Sequence, residues 1–270
     1  MVVNSHAANR QNEKDPDEHS TGAGTGDAGS GLLPAAGKRT RTRFLDLQSG
    51  RDFGINADLP LPQASTVKVP IVLYLNHLVA QGKASWSDRV AYRPATDYRT
   101  GAGAMQFFAQ PGNTYSLRVL SNLAITLSDN VAKAMLVRHL GKGNIEAFMA
   151  QLGASQPHVD GGEPTTARDM AIYLQAALKL AQERPDLGGR LLDDLSHTIW
   201  HVGLPGQLPP ELQVAHKEGD ITGVSDDVGI VFASRPYILC VLSRGQQDIE
   251  GGFRKIAQIS RLVYDYQMAH

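Results

Sequence analysis

Residues 63–70 read Gln63-Ala64-Ser65-Thr66-Val67-Lys68-Val69-Pro70 and lead into a run, 66–81, that is apolar on nearly all sides and stopped by Gly82. A helix apolar all round belongs in the middle of a domain, so this run is predicted to be a buried helix around which the chain is arranged. Pro70 falls early enough for a first turn to tolerate it. Ser65 and Lys68 stand three residues apart at the start, which stacks their side chains on one face of that turn. A serine hydroxyl is a poor nucleophile until a base takes its proton. A lysine can be that base when burial or a nearby cation disfavours its charge. The helix start also offers backbone N–H to a developing oxyanion. By itself, Ser-x-x-Lys is equally a capping serine and a solvated lysine.

Working outward, residues 42–47 and 52–56 read as strands joined by the turn Gln48-Ser49-Gly50-Arg51. Helical patterns follow over 116–126, 131–140 and 144–152. Another, with Thr166 as N-cap and Asp169 three residues on, runs to 181, and a further one covers 187–200. The period then changes. Residues 213–217, 228–233 and 237–243 are β-type runs separated by the turns Glu218-Gly219-Asp220 and Ser234-Arg235-Pro236, and an amphipathic helix closes the chain over 252–266. Two strands, a block of helices, three strands and a last helix predict an α+β fold. Its antiparallel sheet is built from both chain ends (39–62 plus 210–270) and flanked by helices, with an all-α lobe (63–209) inserted and a cleft where the lobes meet. Residues 1–38 are polar and glycine-rich. The stretch 21–31, Thr-Gly-Ala-Gly-Thr-Gly-Asp-Ala-Gly-Ser-Gly, buries too little to offset its ordering entropy and is predicted to be a disordered tail, not a phosphate loop.

The bulk numbers narrow the partners. A chain of 270 residues with 42% hydrophobic and 20% charged side chains can build a substantial core. A net charge of −1 gives no footprint for nucleic acid, and no run is long enough to span a bilayer. A secretory signal is not visible at the start. Cys240, the single cysteine, lies in the apolar run 237–242 and reads as a buried structural thiol.

Two further stretches change the weight of Ser65-x-x-Lys68. Ser128-Asp129-Asn130 falls between two predicted helices, where a tight loop can present a hydroxyl and an amide to a cleft. His216-Lys217-Glu218-Gly219-Asp220 ends the first strand of the C-terminal group. In this order the three resemble the Ser-x-x-Lys, Ser-Asp-Asn and Lys-Thr-Gly set of class A β-lactamases and penicillin-binding proteins. The flanking text agrees: Leu-Asp-Leu-Gln-Ser-Gly-Arg over 45–51, Leu-Ser-Asp-Asn-Val-Ala over 127–132, Thr-Thr-Ala-Arg-Asp-Met-Ala over 165–171. The resemblance implies Ser65 as the acylated nucleophile and Lys68 as its base. Ser128 would be the proton relay to the leaving nitrogen, and Asn130 the holder of the substrate amide. Lys217 would be a positive charge beside the substrate carboxylate, with the backbone N–H groups of Ser65 and Asp220 as oxyanion hole beside Gly219. It further implies a small-molecule or peptidoglycan-type substrate, a monomer, an extracytoplasmic location, and no cofactor or metal.

Two departures stand out. Glu218 occupies the position where the family carries a hydroxyl residue, and an ionised glutamate has no proton to give a substrate carboxylate. It either pairs with Lys217 or points away. The family's deacylating glutamate lies in a loop that here is reduced to Val159-Asp160-Gly161-Gly162-Glu163-Pro164, so Glu163 is either that base or a loop anchor. Three functions remain open: a β-lactam hydrolase with slow deacylation, a D-alanyl-D-alanine carboxypeptidase or Ser-Lys esterase, and a binding module that kept the fold. No Gly-x-Ser-x-Gly elbow is present. His197 and His201, four apart on a predicted helix, lack the rest of a zinc site.

Overall fold

The computed structural model describes residues 39–270; the segment expected to be a disordered tail, 1–38, lies outside them. In chain order come β1 (Thr40–Asp46), β2 (Asp52–Ile55), β3 (Leu61–Pro62), α1 (Lys68–Ala80), β4 (Arg89–Ala91), α2 (Pro94–Asp97), α3 (Met105–Phe108), β5 (Thr114–Ser116), α4 (Leu117–Thr126), α5 (Asn130–Leu140) and α6 (Lys142–Gln151). After these come β6 (Pro164–Thr165), α7 (Ala167–Glu183), α8 (Pro185–Ser196), β7 (Val214–Ile221), β8 (Val224–Val231), β9 (Tyr237–Ser243) and α9 (Ile249–Ala269). The five long strands form one antiparallel sheet in the order β2-β1-β9-β8-β7. The α+β architecture is the expected one: the sheet draws strands from both ends, and the helices lie between.

Hydrophobic patterning sets the layers. Every residue of β8 and β9 is buried, because the sheet is covered on both faces. One face (Ala215, Val228, Ile230, Ile238, Cys240, Leu242) joins the large core with α1, α4, α5 and α7. The other (Phe44, Val231, Tyr237, Leu239, Val241) packs on Phe253, Ile256, Ile259 and Val263 of α9. Helix α1 buries Lys68, Val69, Pro70, Ile71, Val72, Leu73, Leu75 and Asn76, as expected of a helix apolar all round. Cys240 is fully buried, and burial pushes its thiol up, out of the reactive range. Among the described residues no helix is long and apolar enough to cross a membrane.

The cap expected at Thr166 is present, its Oγ1 accepting the Asp169 N–H at 2.9 Å, and Asp129 caps α5. Four expectations need correction. Glu218-Gly219-Asp220 is not a turn. It lies inside β7, which pairs with β8 out to Ile221, and the reversal comes at residues 222–223. Helix α8 ends at Ser196 instead of reaching 200, because the Thr198 hydroxyl turns to His216 (3.1 Å) and the Ile199 N–H to the Thr126 carbonyl (3.0 Å). His197 and His201 therefore share no helix face: His197 turns to Asp193, and the His201 ring lies against His216. The insert expected to be all-helical also carries the ribbon β4-β5, and β6 within it pairs with β3. These strands of two or three residues are too short to show a period.

Candidate active site

Ser65 sits in a 3-10 turn, Ala64–Val67, that runs directly into α1. Ala64 has φ +45°, a left-handed conformation costing a side-chain-bearing residue about 1–3 kcal/mol. It is held there by the facing loop. The Ala64 N–H donates to Gly161 O (2.7 Å) and the Gln63 N–H to Glu163 O (3.2 Å). The buried Gln63 amide donates to the carbonyls of His158 (2.8 Å) and Asp160 (3.0 Å).

Lys68 is 1% exposed, and its Nζ is the hub of the site. It lies 2.7 Å from Ser65 Oγ, 2.7 Å from Ser128 O, 3.0 Å from Ser128 Oγ and 2.9 Å from Asn130 Oδ1. Burial holds its pKa well below the usual lysine value; Lys217 and then Lys133 push the same way, while Glu218 and Asp129 oppose. A neutral amine has a lone pair that can take the Ser65 proton, which an ammonium lacks.

The partners are fixed by backbone geometry. Ser128 follows α4 with φ +53°, a second strained residue at the site. Asp129 accepts N–H groups from Val131 and Ala132 (2.9 Å each) and from Met105 (2.8 Å), and a side chain at Gly103 would overlap it. Asn130 is pinned through its Nδ2, which donates to Thr100 O at 3.0 Å. The Ser128-Asp129-Asn130 loop is thus locked against residues 100–105 with its hydroxyl and amide turned to Lys68.

Strand β7 closes the site as the outer strand of the sheet. A Cβ on Gly219 would stand 2.7 Å from Ser65 N and 3.0 Å from Thr66 N, so glycine is needed there for close approach, not for a turn. Lys217 is fully buried and ion-pairs with the Glu218 carboxylate, its Nζ also donating to Glu218 O at 3.0 Å. Beside Ser128, Glu218 and Asp220 opens a cavity of about 600 Å³ whose far wall includes Trp200, His201 and Phe253.

The residues picked from sequence mostly converge: Ser65, Lys68, Ser128 and Asn130 by direct contact, Gly219 by packing, Glu218 and Asp220 at the cavity wall. Glu163 does not join them. Its carboxylate faces outward among Lys142 (3.6 Å), His158 (3.9 Å) and the Asp160 N–H (3.4 Å). Glu146, His158 and Glu163 lie close enough to hold a metal ion, but the Lys142 ammonium already contacts both glutamates of that group.

A model of the β-lactamase enzyme family matches residues 30–267 of this chain. The chain belongs to that family. Among curated relatives it is 26% identical to β-lactamase AST-1 of Nocardia asteroides, covering 87% of this chain and 81% of that protein. It is 22% identical to β-lactamase VEB-1 of Pseudomonas aeruginosa over 88% of each. Among solved structures it superimposes on PBP-A with a TM-score of 0.79 at 27% identity (87% of this chain, 93% of that one). A point mutant of PBP-A, solved as an acyl-enzyme complex with penicillin G, gives 0.78 at 29% (86% and 90%). A β-lactamase from Sphaerobacter thermophilus gives 0.78 at 23% (86% and 91%), a likeness of fold. The fold is that of β-lactamases and transpeptidases, and this family member is a β-lactamase-like serine hydrolase.

This β-lactamase-family site contains groups the sequence reading passed over. His216, fully buried, lies 3.0 Å from Asp227 and 3.1 Å from Thr198 Oγ1. Asp227 also accepts the Leu204 N–H at 2.7 Å. Asp226, equally buried, takes the Ser243 N–H at 2.7 Å, and burial pushes its pKa well above the usual carboxylate range. Pairing residues 214–221 with 224–231 as one hairpin brings His216 and Asp227 to diagonal positions; reading a turn at 218–220 hides them.

Proposed function

We propose that this protein hydrolyses β-lactams and related acyl amides or esters through an acyl-enzyme on Ser65. Lys68, neutral in its buried hub, removes the Ser65 proton as Oγ attacks the acyl carbon. The backbone N–H groups of Ser65 and Asp220 receive the negative charge that grows on the carbonyl oxygen. The C–N bond then breaks, and the proton held by Lys68 passes through Ser128 Oγ to the departing nitrogen. Asn130 orients Lys68 and the substrate amide, and Lys217, its charge shared with Glu218, helps to keep Lys68 neutral. Water then cleaves the ester. With Glu163 directed to Lys142 as an anchor of the loop, that second step is slow. The reacting groups sit between a sheet lobe (39–62 plus 210–270) and a helical lobe (63–209), in a chain that acts as a monomer.

The observation that carries this reading is the set of contacts at Lys68 Nζ, which joins both serines and Asn130 to one buried amine of depressed pKa. The test is intact-protein mass spectrometry after exposure to a penicillin, a cephalosporin and a fluorophosphonate. The expected result is a stoichiometric adduct that Ser65→Ala abolishes; an adduct that persists in Ser65→Ala, or none with any probe, rejects the mechanism. A second reading, D-alanyl-D-alanine peptidase or Ser-Lys esterase, is favoured by one observation: the outward Glu163, which directs the loop's own glutamate away from Ser65 and toward Lys142.

A further inference from the structure

We propose, building on the acyl-enzyme reading above, that the cavity beside Ser128 and Glu218 receives the leaving-group side of the substrate and selects a cation there: an ammonium or guanidinium on an apolar stem, in place of a carboxylate.

The register of β7 and β8 starts the argument. Side chains alternate along a strand. Gly219 turns its Cα toward Ser65 N, so Glu218 and Asp220 turn to the opposite side, toward α9 and residues 200–207. Asp227, the cross-strand partner of Glu218, shares that side. Its carboxyl group is already engaged by His216 and the Leu204 N–H. Glu218 is different. It is 4% exposed and lines the cavity. Its Oε1 meets Lys217, and its Oε2 is buried with no hydrogen-bond partner among the described residues. A buried carboxylate oxygen left without a donor is costly, and a ligand N–H relieves that cost. A ligand carboxylate brings no donor and adds repulsion.

The rest of the wall points the same way. Among the described residues that line the cavity, Glu218, Asp220 and Glu250 face one arginine, Arg254, with Lys217 behind Glu218. That guanidinium is engaged by Asp248 (3.0 Å) and Glu250 (3.7 Å) on its own helix. Trp200 and Val202 are 45% and 47% exposed at the same cavity. Large side chains left half-open beside a cavity fit an apolar stem, and an indole face attracts an ammonium placed over it. The buried carboxylate, the acidic excess and the aromatic wall therefore describe one occupant.

Three thioesters test this, sharing one acyl group and differing only at the end of the leaving thiol: ammonium, methyl and carboxylate. Acylation forms the Ser65 Oγ–carbonyl bond, breaks the carbonyl–sulfur bond and leaves the serine proton on the thiol. The ammonium ester should acylate about 10²-fold faster than the carboxylate ester, the scale of one charge-assisted hydrogen bond gained against one lost. Glu218→Gln should shrink that ratio to within about tenfold, and Trp200→Ala should raise KM for the ammonium ester more than for the methyl ester. A carboxylate ester that reacts as fast or faster overturns the inference, whether a protonated Glu218 or a swung Arg254 receives it. If fluorophosphonate labels Ser65 but the three esters rank flat, the cavity inference falls and the nucleophile assignment survives. If nothing labels Ser65, the mechanism itself falls. Binding then decides the cavity separately. In Ser65→Ala, 3-phenylpropylammonium should quench Trp200 fluorescence saturably, with Trp86 replaced by Phe, and 3-phenylpropionate should not. The reverse order overturns the proposal.

Discussion

The burial that suits Lys68 to the proposed base role also carries a stability penalty. Its burial disfavours the ammonium, so its pKa in the folded protein lies well below 10.5. Between those two values the unfolded chain binds a proton that the folded chain does not, and stability therefore rises with pH across that window. Below the folded pKa the penalty is present in full. Lys68→Met removes it while keeping the stem. The variant should melt higher than the parent at acid and neutral pH, with the gap closing as pH climbs toward 10.5. Acylation of Ser65 should fall by about 10²–10⁴-fold, the worth of a positioned base. Thermal melts across pH and timed mass spectrometry check both halves. A gap that widens with pH would show that Lys68 is charged in the fold. The residue-scale identity of this hub was legible from Ser65-x-x-Lys68 and Ser128-Asp129-Asn130, because spacing on one turn and a loop between two helices are local facts. The direction of Glu163 was not legible, since a loop side chain's rotamer follows from which cation reaches it, here Lys142.

Strand β7 acts on the site through a missing side chain. Gly219→Ala would set a methyl 2.7 Å from Ser65 N, closer than nonbonded atoms tolerate. The strand must then withdraw from the Ala64–Val67 turn. The expected outcome is a loss of about 10²-fold in fluorophosphonate labelling of Ser65, the scale for an ångström of misplacement. The stability cost should be about 1–3 kcal/mol, as for other overpacked contacts, read from urea melts. Labelling at the parent rate would mean that β7 does not frame the oxyanion position. At this scale the sequence was partly readable. The long helices α1, α5 and α7 and the strands β1 and β9 declared themselves through period and caps. Gly219 misled because glycine marks both turns and close approach, and only the partner strand distinguishes them. Helix α8 was overextended because the polar pull of His216 and Thr126 on residues 198–199 comes from distant sequence.

Across the whole molecule, the loop 158–163 and strand β7 both hold the turn that carries Ser65. The loop is tied to Gln63 and Ala64 by backbone and amide hydrogen bonds, and Glu163 serves it from outside. With a penicillin, pre-steady-state traces should show a burst of one equivalent and then slow turnover. Glu163→Gln should leave the slow phase within about twofold and cost no more than about 1 kcal/mol of stability, as expected of a surface ion pair. A fast steady state abolished by Glu163→Gln would make that residue the deacylating base. The architecture itself was legible because the order of periods along the chain, two strands, helices, three strands and a helix, leaves few ways to close one sheet. That closure also sets a schedule. Strand β1 lies between β2 and β9, with Thr40 opposite Ser243. At a ribosome's about 5–20 residues per second, β1 waits roughly ten to forty seconds for its second neighbour. Lys68 and Ser128 lie on helical elements made well before the C-terminal strands, whereas the Ser65 turn packs on β7 and β8 and is completed only when they arrive. Lys217 arrives after Lys68 and Ser128. Ser65 is thus made before the strand that frames it, and until β9 arrives β1 is an open edge that any other nascent strand can occupy.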